Sequence, residues 1–168
     1  MIKLYMKQKH FSWRTRFTIT DEFEEVHYYV QGEIISLGRN LHILDYNNEE
    51  VAQVREKLTS VIDRYSITIG GQNMGTIKHK MSILKPKYEF TGPGWEIKGS
   101  TLQRDYTITK GNQLIGSAHK KLMSWGDSYE IEIEEHENET AVVAVILAIN
   151  AILNDEKDED INRFSDDD

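Results

Sequence analysis

The sequence contains no cysteine and only two prolines among its 168 residues. Without cysteine the chain cannot form a disulfide framework, a thiolate zinc or iron–sulfur site, or a cysteine nucleophile. The scarcity of proline excludes a proline-rich linker protein. Apolar residues make up 39% and aromatic residues 10% of the chain, which is typical of a folded globular protein. The length predicts one domain with a core of its own.

Long apolar runs are scarce as well. The longest spans residues 141–153 and contains Asn150, whereas a membrane-spanning helix needs about 20 predominantly apolar residues. This run is therefore too short for a transmembrane helix. The segment Met1–Lys7 is followed by polar residues rather than by the apolar core of a signal peptide. We therefore expect a cytoplasmic protein that is not transmembrane.

Charge is distributed unevenly along the chain. Residues 1–129 carry 18 Lys and Arg against 14 Asp and Glu, whereas residues 130–168 carry 2 against 14. The net charge of −8 therefore arises from the last quarter of the chain, and the remainder is mildly basic. The acidic total does not exclude a polyanionic partner.

Short segments that alternate apolar with polar residues, and that are rich in β-branched and aromatic side chains, recur along most of the chain. They predict about twelve β-strands. Val26–Gln31 and Ile34–Leu37 are predicted as two separate strands. Turn residues such as Gly70-Gly71 and Gly111-Asn112 separate the segments by short connections, so the sheet is expected to be antiparallel.

One hairpin sequence is repeated. Tyr65–Thr68 recurs 41 positions later as Tyr106–Thr109. Gly75 recurs at the same offset as Gly116, and a looser third copy covers residues 41–58. A repeated hairpin predicts a meander that closes into a barrel, packs as a sandwich or stacks as propeller blades. The chain is too short for a propeller, so a barrel or a sandwich is favoured.

The segment near residue 130 alternates glutamate with isoleucine. Glu130 and Glu132 are separated by Ile131, and Ile133 follows. This alternation predicts a strand with the carboxylates on the outer face and the isoleucines in the core. Paired carboxylates can act in acid–base catalysis, but no neighbouring motif indicates a cleft.

One helix is predicted over residues 139–154, with Asn138 as its N-cap. It is apolar on every side except at Asn150, and a helix of that kind must be surrounded by protein. We therefore predict a mainly β fold, a closed antiparallel β-barrel of about twelve strands around a central hydrophobic C-terminal α-helix. Residues 1–154 would form this single domain, and the acidic tail 155–168 is expected to be disordered. A filled lumen leaves the outer wall or a rim for recognition.

A series of short motifs is spread in order over almost the whole chain. The motifs are Tyr5-Met6-Lys7-Gln8-Lys9, Phe17-Thr18-Ile19-Thr20-Asp21, Tyr28-Tyr29-Val30-Gln31-Gly32, Ser36-Leu37-Gly38, Lys85-Pro86-Lys87-Tyr88, Asp105-Tyr106 and Ser124-Trp125-Gly126-Asp127-Ser128-Tyr129. Together they resemble the bacterial branch of the LURP-one-related family, over residues 4–155. That family belongs to the tubby C-terminal-like superfamily, together with phospholipid scramblases. The resemblance implies a twelve-stranded barrel around a central hydrophobic helix.

The resemblance implies less about function. Tubby domains bind phosphoinositides through basic residues on the barrel surface, and scramblases are linked to membranes and calcium. Bacterial members of the LURP-one-related family mostly have no assigned activity. No residue of this sequence matches the lipid-contacting residues of tubby domains, so none is carried over.

Four lysines within ten residues form the candidate binding site: Lys78, Lys80, Lys85 and Lys87. On a strand, Lys78 and Lys80 would share a face and could hold phosphate or anionic headgroups. The alternative is a solvated strand face that protects the sheet against aggregation. Nucleic acid is disfavoured as a partner, because aromatic residues that could stack on bases are sparse in this stretch.

Motifs of enzymes and metal sites are absent from the sequence. There is no HExxH, no G-x-S-x-G, and no phosphate-loop lysine after Gly70-Gly71. The spacing of Asp158 and Asp160 matches an EF-hand loop, but Arg163 stands where that loop requires glycine. No catalytic residue, metal ligand or cofactor is therefore predicted.

Three hypotheses about function follow. The first is a non-enzymatic binding or scaffold protein whose partner is unknown. The second is a peripheral binder of anionic phospholipid or phosphoinositide headgroups, which would use the four lysines. The third is a small enzyme without a recognisable motif, which a deep polar pocket with ionisable residues of perturbed pKa would favour.

Overall fold

The computed structural model describes residues 1–7, 16–35, 38–58, 64–80, 87–100, 105–123, 126–134 and 137–165. Within these ranges the chain forms twelve strands and one helix. In chain order they are β1 (Ile2–Lys7), β2 (Arg16–Thr20), β3 (Val26–Ile35), β4 (Gly38–Leu44), β5 (Glu50–Glu56), β6 (Arg64–Ile69), β7 (Gln72–Lys80), β8 (Lys87–Thr91), β9 (Glu96–Ser100), β10 (Asp105–Lys110), β11 (Gln113–Met123), β12 (Gly126–Ile133) and α1 (Glu139–Ser165).

The strands close into a barrel. Each strand pairs antiparallel with its neighbours in sequence, and β1 completes the circle by pairing with β12 from Ile2↔Ile133 to Lys7↔Ser128. Closure leaves none of the described strands at an edge of the sheet. The predicted closed antiparallel barrel of about twelve strands is confirmed, and the sandwich alternative is excluded.

Helix α1 fills the lumen of this barrel. Its residues Ala141–Leu153 are at most 7% exposed, and inward-facing strand residues such as Ile43, Ile67 and Ile131 are fully buried around it. Asn138 caps the helix, since its Oδ1 accepts the backbone N–H of Ala141 at 3.0 Å. The prediction that an all-round apolar helix must be surrounded by sheet is confirmed. No stretch of the described helical residues is long and apolar enough to cross a bilayer.

The repeated hairpin has a structural basis. In four hairpins the register shifts, as at a β-bulge, directly after an isoleucine. These shifts lie between Ile19 and Thr20, Ile43 and Leu44, Ile67 and Thr68, and Ile108 and Thr109. Bulges increase strand curvature, and a closed barrel needs them. The repeated glycines lie on the bulged strands themselves, since Gly75 pairs with Ile67 and Gly116 with Ile108 directly before the shift. A Cβ on Gly75 would overlap the carbonyl oxygen of Thr91 on the next strand.

The predicted break between two strands near Gly32 was wrong. Val26–Gln31 and the described part of Ile34–Leu37, which were predicted as separate strands, lie on the single strand β3, which extends to Ile35. Gly32 does not break it, because Gly32 pairs with Leu41 in an unbroken register with β4. Residues 36–37 lie outside the described residues.

The helix also extends beyond its predicted end near residue 154 and continues to Ser165. No proline or glycine follows Leu153 to stop it. Most of the segment that we expected to be disordered is therefore helical in backbone. The division into a barrel domain and a separate acidic tail is not marked by a break in the helix and stays a prediction.

Candidate functional site

The outer surface of the barrel is where functional side chains have to be sought, because α1 occupies the lumen. The alternation of a strand places every second side chain on the outer wall. One rim of the barrel includes the β2–β3 turn Asp21–Glu25, the β4–β5 turn Asp45–Glu49 and the first residues of α1. We call it the helix-start rim.

The lysines that the sequence predicted as a binding site lie mainly on β7 and β8. Lys78 stands opposite Glu89 in the register, and its Nζ lies 3.1 Å from Oε2 of Glu89. Its charge is therefore matched by a neighbour. Lys80 stands opposite Lys87 in the same register. The side chains of these two residues, and all of Lys85, lie outside the described part of the structure.

A further lysine belongs to this group and was missed from the sequence. Lys98 on β9 stands opposite Lys87. Lys80, Lys87 and Lys98 therefore occupy one row across three neighbouring strands, which we call the lysine row. The side chain of Lys98 is 74% exposed, with Nζ 3.4 Å from Oε2 of Glu96. The sequence alone does not show that Lys98 lies beside Lys87, because this depends on how β8 pairs with β9.

A second group of charges surrounds Glu130 on the outer wall of β1, β11 and β12. Glu130 is only 5% exposed. The Nζ of Lys121 donates a hydrogen bond to its Oε2 at 2.5 Å, and Lys3 Nζ lies 3.9 Å from its Oε1. Lys3 also pairs with Glu132 at 2.9 Å. The glutamates lie on the outer face, as the alternation predicts, but Glu130 is covered there by its neighbours.

The pKa values of this group reflect the pairing. The hydrogen bond to Glu132, together with the charges of Glu130 and Glu132, raises the pKa of Lys3. Lys3 in turn lowers the pKa of Glu132 through that hydrogen bond. Burial raises the pKa of Tyr5, and the charge of Glu130 raises it further. These shifts all favour the charge states that hold the group together, which is typical of a structural ionic cluster.

His42 forms a third group on the outer wall, with Glu33 and Glu50. Its Nε2 lies 3.1 Å from Oε2 of Glu33, and its Nδ1 lies 2.5 Å from Oε2 of Glu50. Burial lowers the pKa of His42, but the hydrogen bonds to the two glutamates outweigh burial and raise it above its ordinary value. Among the residues that the structure describes, no three His, Asp or Glu side chains are arranged to hold a metal ion.

A groove of about 350 Å³ lies at the helix-start rim. It is lined by Met1, Ile2, Lys3, Asp21, Glu22, Phe23 and His27. The Oδ1 of Asp21 accepts the backbone N–H groups of Phe23 and Glu25, each at 2.9 Å, and so fixes the turn. His27 joins this turn to the helix, because its Nδ1 lies 3.0 Å from Oε1 of Glu139 and its Nε2 lies 3.7 Å from Oδ2 of Asp21.

The turn that borders this groove was also missed from the sequence, because Asp21–Glu25 contains no glycine, asparagine or proline. The signal that could have found it is its match to the β4–β5 turn Asp45–Glu49. There the Oδ1 of Asp45 accepts the N–H groups of Asn47 and Glu49 in the same way. Both turns place their fourth residue at positive φ, 66° at Glu24 and 64° at Asn48.

Comparison with known proteins adds three findings. The profile of a family described as LURP-one-related matches residues 2–150. The uncharacterized protein YxjI of Bacillus subtilis (strain 168) is 35% identical over 161 residues, which cover 96% of this chain and 99% of YxjI. The X-ray structure of an Arabidopsis thaliana protein superposes with a TM-score of 0.62 at 18% identity, covering 91% of each chain. At that identity the structural match concerns the fold alone.

Proposed function

The chain belongs to the LURP-one-related family, and we propose that it is a non-enzymatic binding or scaffold protein that recognises a partner protein with the outside of its barrel. The observation that carries this proposal is the filled lumen. Side chains of α1 from Ala141 to Leu153 are at most 7% exposed. Many other barrels enclose a ligand in this space, and here helix side chains take its place.

The ionisable groups of the outer wall also favour binding over catalysis. Glu130 and His42 have the closest ionic contacts there, and each is held by oppositely charged neighbours across adjacent strands. A general acid or base needs a reacting group within hydrogen-bond reach. These side chains instead direct their polar atoms at one another, as structural ion pairs do.

The test is affinity capture from the cytosol of the source organism with the folded full chain as bait. A captured protein supports the proposal if, once purified, it binds the chain saturably in calorimetry. The heat-unfolded chain serves as the control bait. The absence of any saturable partner, together with turnover of a compound in a substrate screen, would contradict the proposal and favour the enzyme hypothesis.

A second function is favoured by the lysine row. Like charges directly opposite each other on neighbouring strands destabilise a sheet, and the row formed by Lys80, Lys87 and Lys98 would be relieved by a bound anion. With Lys78 and Lys85, the row would attract anionic phospholipid or phosphoinositide headgroups at a membrane surface. The ion pair of Lys78 with Glu89 weakens this candidate relative to the first.

Vesicle flotation tests this second candidate. We expect salt-sensitive binding to vesicles that contain phosphatidylserine or phosphoinositides, no binding to phosphatidylcholine vesicles, and loss of binding in Lys87→Glu. Lys110→Glu is the matched control, because Lys110 is exposed at the far end of β10 and outside the row. Binding that is insensitive to salt, or equal in the two variants, would eliminate the lipid role of these lysines.

A further inference from the structure

The groove at the helix-start rim presents a large aromatic ring to solvent. Phe23 is 76% exposed and Met1 is 51% exposed, and both line the groove beside Ile2. Single exposed apolar residues are common on protein surfaces. Here, however, three apolar side chains border one concave surface, and such patches mark interaction sites. The hydrogen bonds of the turn to Asp21 hold the backbone of Phe23 in place. The turn would therefore lose little conformational entropy when a partner binds.

The surroundings of Phe23 are strongly acidic. Asp21, Glu22, Glu24 and Glu25 lie on the same turn. Lys7 balances Glu24, with Nζ 2.6 Å from Oε1. Glu22 and Glu25 are exposed, and neither forms an ion pair with any residue that the structure describes.

The one lysine of the groove does not offset this charge. Lys3 is paired with Glu132 at 2.9 Å. The groove therefore combines apolar side chains with carboxylates, and its complement is an apolar side chain flanked by cations.

We propose that this groove docks a basic amphipathic segment of a partner protein. One apolar side chain of that segment packs against Phe23, while neighbouring Lys or Arg side chains meet Glu22 and Glu25. This inference names the partner class of the binding protein proposed above and rests on that proposal. The acidic surroundings repel anionic headgroups, which separates this surface from the lysine row.

The chain carries its own control for this proposal. The matched turn Asp45–Glu49 has the same hydrogen bonds and presents Tyr46, which is 71% exposed. Tyr46 does not line the groove. Replacing Phe23 or Tyr46 by serine removes an exposed aromatic ring from the same kind of turn, and neither change empties the core.

Fluorescence anisotropy with the full chain tests the proposal. The probe is a short fluorescein-labelled peptide in which lysine and leucine alternate, and a peptide with serine in place of leucine keeps the charge without the apolar side chains. We expect saturable binding of the lysine–leucine peptide that weakens with salt. Phe23→Ser should weaken it about tenfold or more, as loss of a central aromatic contact does. Glu22→Lys should weaken it as well, whereas Tyr46→Ser should leave it unchanged.

Several results would overturn the assignment. Equal binding by wild type and Phe23→Ser, or equal binding of the lysine–serine peptide, would indicate general attraction to acidic residues. Equal losses in Phe23→Ser and Tyr46→Ser would indicate contact with any exposed aromatic ring. Self-association that Phe23→Ser abolishes, measured by sedimentation, would assign the groove to a second copy of the chain. If a captured partner binds Phe23→Ser as tightly as wild type, the groove assignment fails while the proposed binding function stands.

Discussion

Gly116 of β11 lies against Val142 of the central helix so closely that a Cβ on Gly116 would be 2.9 Å from Cγ1 of Val142. The same Cβ would be 2.8 Å from the carbonyl oxygen of Glu132 on β12. The wall and the helix therefore fit together without space for one more methyl group at this position. The contact also explains why a glycine recurs here in the hairpin repeat, since Gly75 meets a strand carbonyl in the same way.

Gly116→Ala should lower the free energy of unfolding by about 1–3 kcal/mol, the range for overpacking a filled core. Urea denaturation followed by circular dichroism measures this. Gln113→Ala, at an exposed position of the same strand, should change stability by less than about 0.5 kcal/mol. Adding Val142→Ala should recover part of the loss, because it removes one of the two obstructing groups. A Gly116→Ala protein as stable as wild type would show that the contact between Gly116 and Val142 has room for a methyl group.

The central helix should be the most sensitive element to loss of side-chain volume. Ile146→Ala removes buried methyl groups from a residue that is 0% exposed. We expect the free energy of unfolding to fall by about 2–5 kcal/mol, because apolar burial is lost and a cavity is left. Ile34→Ala, at a residue that is 51% exposed, is the matched control and should cost less than about 0.5 kcal/mol. Thermal and urea unfolding measure the free energy of unfolding of both variants. Similar losses would mean that the helix is not packed as a core element.

The position of the helix could be predicted from the sequence because its cause is local. A segment that is apolar on every side has no face to turn toward water, so only a surrounding sheet can accommodate it. Asn138 could likewise be identified as the N-cap from its place before the apolar run, and its hydrogen bond to Ala141 confirms this.

The surfaces that bear on function could not be predicted in the same way, because they depend on register between distant segments. Lys98 joins the lysine row only because β8 and β9 pair at Lys87↔Lys98. Glu130 is covered by Lys3 and Lys121, which belong to two other strands. A pattern read along one strand shows which face a side chain is on, but it cannot show which neighbours lie over it.

The His42 cluster should make stability depend on pH. Although burial lowers the pKa of His42, hydrogen bonds to Glu50 and Glu33 raise it overall above 6.5. The folded state therefore favours the charged imidazolium. The stability that this adds is fully present below the pKa of the unfolded chain, and it is lost as pH rises through the higher pKa of the folded protein. The difference in unfolding free energy between wild type and His42→Gln should be largest in acid and should close at alkaline pH.

Titration of the His42 ring signals by NMR measures its pKa directly. Glu50→Gln removes a charged acceptor and should lower the pKa of His42 toward its ordinary value. Glu22→Gln changes an exposed carboxylate on a different hairpin and should leave the titration unchanged. A pKa of His42 below 6.5 in the wild type would mean that burial outweighs the two glutamates, and the expected pH dependence would then reverse.

The ion pair between Lys121 and Glu130 should contribute more to stability than an exposed pair of the same type. Lys121→Met leaves the carboxylate of Glu130, whose side chain is 7% exposed, with the more distant Lys3 as its one cationic partner among the described residues. A carboxylate that is buried and deprived of its hydrogen-bonding cation costs about 2 kcal/mol or more.

Lys98→Met provides the comparison, because Lys98 and Glu96 are 74% and 62% exposed. Exposed pairs of this kind contribute about 0–1 kcal/mol. Urea unfolding of both variants in low and high salt should show a larger loss for Lys121→Met in both conditions, since salt screens the exposed pair more than the buried one. Equal losses would indicate that water reaches Glu130 and that the outer wall of β1, β11 and β12 is an ordinary solvated surface.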